Sequence, residues 1–391
     1  MLSLSGIWTK QNESIFSIMS REALRHQAIN LAQGFPDFDG PPEIKEAACS
    51  AILSGHNQYA PSPGLPELRH MLAEQQRIRY DISWNPESEV TILSGATEAI
   101  FCTIQALCNP RDEIISFEPF YDSYLPSALA AGATLRTLPL RAPDWSWEPE
   151  DLDRMISPST RAIILNTPHN PTGKVFSRQE LEILAELIRK HQIWLITDEV
   201  YENLIYDNCQ HHSPATLPDM QERTITISST SKTYSFTGWK VGYLFARPQV
   251  SRAIRNIHQN TVFCSATPLQ KAFLASPPPE SPYYAQLKAD YCRRRDLLLG
   301  ILQDCHFKAT APSGTYFIVA DYSAISDLND DEFALYLSRE AGVACIPLSP
   351  FSLNPEKARQ QRLLRFAFCK SENTLHAAGE RLRKKTAPGT A

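Results

Sequence analysis

Short apolar runs that alternate with amphipathic stretches constrain this chain more than any other feature. Residues 90–93, 113–117, 161–165, 193–197, 224–228 and 241–245 are rich in Val, Ile, Leu, Phe and Thr, and most close on small or polar residues. Their length and β-branched content predict strands. Residues 97–108 space Ile100, Phe101, Ile104 and Leu107 as one face of a helix. Between the third and fourth runs, Ser177 and Glu180 form a capping-box pattern ahead of an apolar stripe of Leu181, Leu184, Leu187 and Ile188. Strands alternating with helices predict an α/β domain around a largely parallel sheet. In such sheets ligands bind at the carboxyl ends of the strands.

The remaining composition narrows the class. With 391 residues the chain is long enough for two or three domain-sized units, and 43% hydrophobic content is ordinary globular usage. A net charge of −5 argues against nucleic acid or an anionic membrane surface as the main partner. No run of about 18 apolar residues appears, so no membrane span is expected. Residues 1–20 carry Lys10 and Glu13 but no apolar core, so no secretory leader is expected. The nine cysteines are odd in number, scattered, and lack a C-x-x-C pair. Zinc-ribbon and thioredoxin-type readings therefore find no support, and a reduced, cytoplasmic protein is expected. His211-His212 lacks surrounding ligands, so no metal is expected. Pro277-Pro278-Pro279 with Pro282 marks a loop or hinge, and the basic residues from Arg381 onward read as a solvated end.

Four strand ends are chemically loaded. Ser94-Gly95-Ala96-Thr97-Glu98 opens a helix with small residues, which leaves backbone N–H groups free for a phosphate. It is neither a Walker loop nor a G-x-G-x-x-G. The turn Asn166-Thr167-Pro168-His169-Asn170-Pro171-Thr172-Gly173 offers Asn170 as a donor, although such residues also serve plain turns. Thr197-Asp198-Glu199-Val200-Tyr201 closes an apolar strand with an acid, which is costly to bury without a partner. Asp198 therefore wants a cation, and Tyr201, three residues on, can point to the same place. In the fourth, Ser229-Thr230-Ser231-Lys232-Thr233 crowds hydroxyls around one lysine, with Lys240 eight residues later. A buried lysine near another cation has a lowered pKa and can form a Schiff base.

Asn170-Pro171-Thr172-Gly173, Asp198-x-x-Tyr201, Ser229-x-Ser231-Lys232 and Gly238-Trp239-Lys240, in that order and spacing, resemble the class I/II aminotransferases, pyridoxal-phosphate enzymes of fold type I. The resemblance covers nearly the whole chain. Ala32-Gln33-Gly34-Phe35-Pro36-Asp37-Phe38 and Asn57-Gln58-Tyr59-Ala60-Pro61 are similar to the branch with methionine aminotransferase and kynurenine–oxoglutarate (glutamine) transaminase.

The resemblance implies a set of roles. Lys232 would hold pyridoxal 5′-phosphate and then move the proton between the substrate α-carbon and the cofactor. Asp198 would pair with the pyridine nitrogen and keep the ring an electron sink. Asn170 and Tyr201 would hydrogen-bond the ring oxygen, and Tyr121 would stack on the ring. Gly95, Ala96, Thr97, Ser229 and Lys240 would hold the phosphate. Many relatives carry Arg at the last position, and Lys supplies a point charge there. Tyr59 would reach the phosphate of a partner subunit, which implies a homodimer. Arg365, within the apolar run Leu364-Arg365-Phe366-Ala367-Phe368, would clamp the substrate α-carboxylate, with Gly34 nearby.

Residues 258–268 resemble a partner-facing segment and carry no arginine. Phe263 then suggests an apolar or aromatic pocket, with Phe16 and Trp8 either helping to cover it or serving as plain packing residues. The amino donor expected is methionine-, kynurenine- or glutamine-type, or aromatic, with a 2-oxo acid as acceptor. A carbon–sulfur β-lyase acting on cysteine conjugates would share Lys232, Asp198 and Arg365 and is the alternative. The fold implied is a large cofactor-binding domain, 44–282, with a mostly parallel sheet, and a smaller α/β domain built from 1–43 and 283–391.

Overall fold

The computed structural model describes residues 4–9 and 13–386. Residues 387–391 of the expected solvated C-terminal end, and residues 1–3 and 10–12 of the N-terminal stretch, lie outside the described residues.

Among the described residues, thirteen strands form three sheets. In chain order they are β1 (Ile29–Asn30), β2 (Val90–Leu93), β3 (Glu113–Glu118), β4 (Thr134–Pro139), β5 (Thr160–Asn166), β6 (Trp194–Asp198), β7 (Thr224–Ser229), β8 (Gly242–Phe245), β9 (Lys308–Ala309), β10 (Phe317–Asp321), β11 (Val343–Ala344), β12 (Ile346–Pro347) and β13 (Leu363–Ala367). The large sheet has the order β2-β8-β7-β6-β5-β3-β4. Within it β8 alone runs antiparallel to its neighbours. The six apolar runs read from sequence are six of these seven strands, and residues 97–108 correspond to the helix Ala96–Leu107.

Strand alternation divides the side chains between two apolar layers. Ala162 and Ile164 face one layer, with Ile100, Ile104, Val250 and Ile254 of the helices Ala96–Leu107 and Pro248–Thr261. Ile163 and Leu165 face the other, with Leu181, Leu184 and Ile188 of the helix Arg178–His191. That helix begins with the capping box expected, Ser177 Oγ accepting from the Glu180 N–H while the Glu180 carboxylate accepts from the Ser177 N–H. Covering both faces explains why these strands read as near-continuous apolar runs.

A second core gathers the short sheet β12-β13-β10-β9 and the helices Ile15–Arg25, Pro282–Asp304, Asp330–Tyr336 and Glu372–Arg383. Val200, Tyr201 and Leu204, just beyond β6, also pack into it. Pro282 opens the helix Pro282–Asp304, a first-turn position where its missing N–H costs nothing.

The basic end differs from the sequence expectation. Arg381 and Arg383 lie on the last helix, and Arg381 donates to the carbonyls of Gln27 and Gly342, so this stretch staples the chain rather than trailing in solvent. No helix of the described residues is long and apolar enough to cross a membrane.

Candidate active site

The carboxyl ends of β5, β6 and β7 lie side by side in the sheet, with Asn166 of β5 paired to Asp198 of β6, and Asp198 to Ile227 of β7. Residues far apart in sequence thereby line one cavity. Its walls include Gly95, Ala96, Thr97, Tyr121, Asn170, Asp198, Tyr201, Ser229, Lys232 and Lys240. All ten were read from sequence as binding or catalytic candidates.

Gly95 caps the helix Ala96–Leu107 at φ +86°, a conformation that side chains resist. A Cβ there would stand 3.0 Å from Lys240 Cε and Nζ. The ammonium of Lys240 therefore lies against the helix N-terminus, where the first-turn N–H groups lack intrahelical acceptors. Gly242, at the start of β8, approaches the same loop so closely that a Cβ would come 2.4 Å from the Gly95 carbonyl carbon. The pocket floor thus combines a cation with a helix N-terminus, a combination suited to an anion. Ser229, beside it, accepts from the Ser231 N–H at 3.1 Å and donates to the Val241 carbonyl at 3.2 Å.

Asp198 is 4% exposed at the end of β6. Its Oδ2 accepts from the Tyr124 hydroxyl at 2.8 Å, while its Oδ1 is buried without a hydrogen-bond partner among the described residues. Burial pushes this carboxyl up to about 6, against the lowering effect of Tyr124, the Val200 N–H and Lys232. An orphaned carboxylate oxygen lining a cavity is costly unless a donor arrives from a ligand.

Lys232 sits in the short helix Thr230–Thr233, directly after β7. Its Nζ lies 5.8 Å from the Tyr201 ring centre and 5.7 Å from that of Tyr316. Burial pushes the amine down to about 8, and the Lys240 charge adds to the effect. Tyr201 is buried edge-on to Tyr316 and Phe317, and burial drives its hydroxyl well above the usual phenol range. Tyr121 packs its ring edge-on to Tyr124, and its hydroxyl lies 3.4 Å from Thr97 Oγ1.

Arg365 is 1% exposed on β13, where it pairs with Val319 of β10 and Ile346 of β12. It donates to Asn170 Oδ1 at 3.1 Å and to the Ala32 carbonyl at 2.7 Å, and its Nε is unpartnered. No carboxylate among the described residues forms an ion pair with it. Its guanidinium lies 3.9 Å from the Phe317 ring centre and 5.1 Å from that of Phe16. Burial lowers its pKa to about 10, which leaves it cationic at neutral pH. Gly34 lies one residue pair beyond Ala32, and its carbonyl accepts from Tyr316 at 2.6 Å.

Arg365 and Gly34 are not among the residues lining this cavity, and Tyr59 and Phe263 stand apart from it on the surface. Tyr59 is 82% exposed, and its ring packs edge-on against Phe263, itself 43% exposed, at 5.1 Å. Trp8 is also exposed, on the helix Gly6–Thr9. His211 is buried in a separate polar cluster, hydrogen-bonded to Tyr80 at 2.9 Å.

Asn166, Ser231 and Thr237 also line the cavity, and Tyr124 and Tyr316 support it, without having been assigned roles from sequence. Asn166 was visible as the residue ending β5. It accepts from the Asn170 N–H and donates to the Asp198 carbonyl, and so ties two strand ends together. Nothing in local spacing marks Tyr316, 84 residues beyond Lys232 in sequence.

Comparison with known proteins gives a consistent result. The family model for aminotransferase class I and II matches residues 26–382. Methionine aminotransferase of Escherichia coli (strain K12) is 40% identical over 371 residues, covering 95% of each chain. Kynurenine–oxoglutarate transaminase 3 of Mus musculus is 38% identical over 380 residues, covering 90% of this chain and 83% of that one. The solved structure of N-succinyldiaminopimelate aminotransferase from Mycobacterium tuberculosis superposes with a TM-score of 0.94 at 38% identity, covering 98% of this chain and 100% of that chain.

Proposed function

The chain belongs to the class I and II aminotransferases, and from that premise we propose that it moves the amino group of an L-amino acid with an apolar, aromatic or sulfur side chain to a 2-oxo acid, using pyridoxal 5′-phosphate. The donors favoured are methionine-, kynurenine- or glutamine-type. The observation that carries this reading is the pairing in one cavity of Lys232 with a buried Asp198 whose Oδ1 has no partner. That orphaned oxygen fits the N–H of a pyridine ring, and the Gly95–Thr97 helix start with Lys240 fits a phosphate. When bound, this cofactor supplies an electron sink for a carbanion at the substrate α-carbon.

The chain's own residues do the rest. Lys232 Nζ, partly neutral because it is buried, holds the cofactor and later carries the α-proton. Asp198 stays ionised at neutral pH and fixes the ring proton. Asn170 and Tyr201 would hydrogen-bond the ring oxygen, and Ser229 would join Gly95, Ala96, Thr97 and Lys240 in holding the phosphate. Arg365 takes the substrate α-carboxylate, for which its unpaired Nε and lack of a carboxylate partner leave it available. Phe16, Phe317 and Phe351 surround the guanidinium and exclude water, which strengthens that ion pair.

A homodimer is part of the proposal. The exposed Tyr59–Phe263 pair supports it, because both rings are far from satisfied in one copy and both are assigned to a partner's site. The absence of arginine from residues 258–268 supports an uncharged donor side chain. The division into 44–282 and 1–43 with 283–391 is supported by the apolar core around the short sheet, whose buried members within 44–282 are Val200, Tyr201, Leu204 and Tyr206 alone. Nine unpaired thiols support a reducing, cytoplasmic setting.

The test is a half-reaction. Protein loaded with pyridoxal 5′-phosphate is mixed with L-methionine without a keto acid, and the absorbance change from the aldehyde to the amine form of the cofactor is followed. Full conversion supports the reading. A response to N-succinyldiaminopimelate or aspartate alone would overturn the donor class, and pyruvate with ammonia from a cysteine conjugate would favour the β-lyase.

A further inference from the structure

Tyr124 is a residue the reaction outlined above does not use, yet it touches two groups that reaction depends on. It opens the helix Tyr124–Ala130 and is 1% exposed. Its hydroxyl donates to Asp198 Oδ2 at 2.8 Å, which leaves Oδ1 as the oxygen without a partner. Its ring packs edge-on to Tyr121, with centres 5.7 Å apart and planes at 84°. Its backbone N–H donates to the Tyr121 carbonyl at 3.1 Å, so the two tyrosines are locked one turn apart. Thr97 approaches the far end of Tyr121.

We propose that Tyr124 is a positioning residue that clamps Asp198 and braces Tyr121, setting the free carboxylate oxygen and the stacking ring in register with each other. The proposal rests on the cofactor reading above. The two contacts do different work. A neutral hydroxyl donating to a carboxylate favours its ionised form, so the clamp holds Asp198 as an anion in a buried place. It also prevents rotation about the Cβ–Cγ bond that would exchange Oδ1 for Oδ2. The ring contact is dispersive and edge-to-face, and it limits tilt of Tyr121. A two-contact brace of this kind is how a supporting residue holds a site within a fraction of an ångström.

Two variants separate the contacts. Tyr124→Phe removes the hydroxyl and keeps the brace. Tyr124→Leu removes both. Each is loaded with pyridoxal 5′-phosphate, and three quantities are read: the dissociation constant of the cofactor, the circular dichroism of its bound absorption band, and kcat and KM separately. Tyr124→Phe is expected to weaken cofactor binding about tenfold and to lower kcat with KM for the amino donor unchanged, while the dichroic band keeps its intensity. Tyr124→Leu is expected to lose that intensity as well, because the ring above is free to tilt. A Tyr124→Phe protein with wild-type affinity and kcat overturns the clamp, and a Tyr124→Leu protein with an unchanged band overturns the brace. Should either variant fail to fold, 3-fluorotyrosine at position 124 tests the clamp within the native shape. Its hydroxyl is a stronger donor, so cofactor binding is expected to tighten, and no change would refute the clamp. Failure of the wild-type protein to bind pyridoxal 5′-phosphate would instead remove the functional reading itself.

Discussion

In the cofactor-free protein the Lys232 amine should titrate near pH 8, and this can be measured directly. Burial is the largest cause of the lowered value. The Lys240 charge pushes the same way, while Cys369 and Asp198 oppose it. At pH 7 a group with a pKa of about 8 is about 9% neutral, whereas a free lysine at about 10.4 is about 0.04% neutral. The buried amine is therefore roughly 200-fold richer in its nucleophilic form. Capture of pyridoxal by the apoprotein, followed by stopped-flow absorbance, should rise tenfold per pH unit and level off above about 8. Pyridoxal is preferred to its phosphate because it carries no phosphate titration. Lys240→Met should move the midpoint up, because it removes a repelling cation. Asp198→Asn should move it down, because it removes an attracting anion. The same shift links to stability. Between pH 8 and about 10.4 the unfolded chain binds the proton and the folded chain does not, so the apoprotein gains stability as pH rises through that window and has lost the gain below it. A midpoint at or above about 10 in the wild type would refute the account of Lys232 as a desolvated amine.

Arg365→Lys should lower kcat/KM for the amino donor by about 10- to 100-fold, since one charge-assisted hydrogen bond of roughly 1.5–3 kcal/mol and the stacking on Phe317 are both lost; steady-state assays check this. Gly95→Ala should weaken binding of pyridoxal 5′-phosphate by about tenfold or more, because its Cβ would stand 3.0 Å from Lys240 Cε and Nζ and displace the ammonium, with the loss of a charge-assisted hydrogen bond of roughly 1.5–3 kcal/mol; equilibrium titration of the apoprotein measures it. Glu199, fully buried beside Glu202, has its carboxyl pushed up to about 8 by burial first and by Glu202 second. Its folded pKa exceeds its unfolded one, so the stability it contributes is full below about pH 4.5 and disappears as pH rises through about 8. Glu199→Gln should therefore match the wild type in melting temperature near pH 5 and exceed it near pH 9, and parallel curves for the two proteins would contradict this.

The sequence by itself determined the α/β class, six of the seven strands of the large sheet, and which polar residues close them. The reason is physical: strands buried on both faces must be apolar throughout, so a polar residue at their close stands out against its surroundings. Asp198 and Arg365 were legible in this way, each a costly group in an apolar run, whereas Lys232 stood out among clustered hydroxyls and Asn170 within a proline-bearing turn. β4 was not legible, because Thr134-Leu135-Arg136-Thr137-Leu138-Pro139 is an edge strand whose polar positions interrupt the pattern. The staple made by Arg381 was also hidden, since a basic terminus reads the same whether it is solvated or bonded to Gln27 and Gly342. Tertiary structure alone decided what meets what. Asn166, Asp198 and Ser229 share one cavity because β5, β6 and β7 are neighbours in the sheet, a matter of strand order that no local spacing encodes. It also decided that Tyr124 reaches Asp198 across 74 residues, and that Tyr59 and Phe263 face outward together. Hydrogen bonds and ring contacts are short-ranged, so which of many available partners a side chain takes is settled only when the backbone has brought one of them within reach.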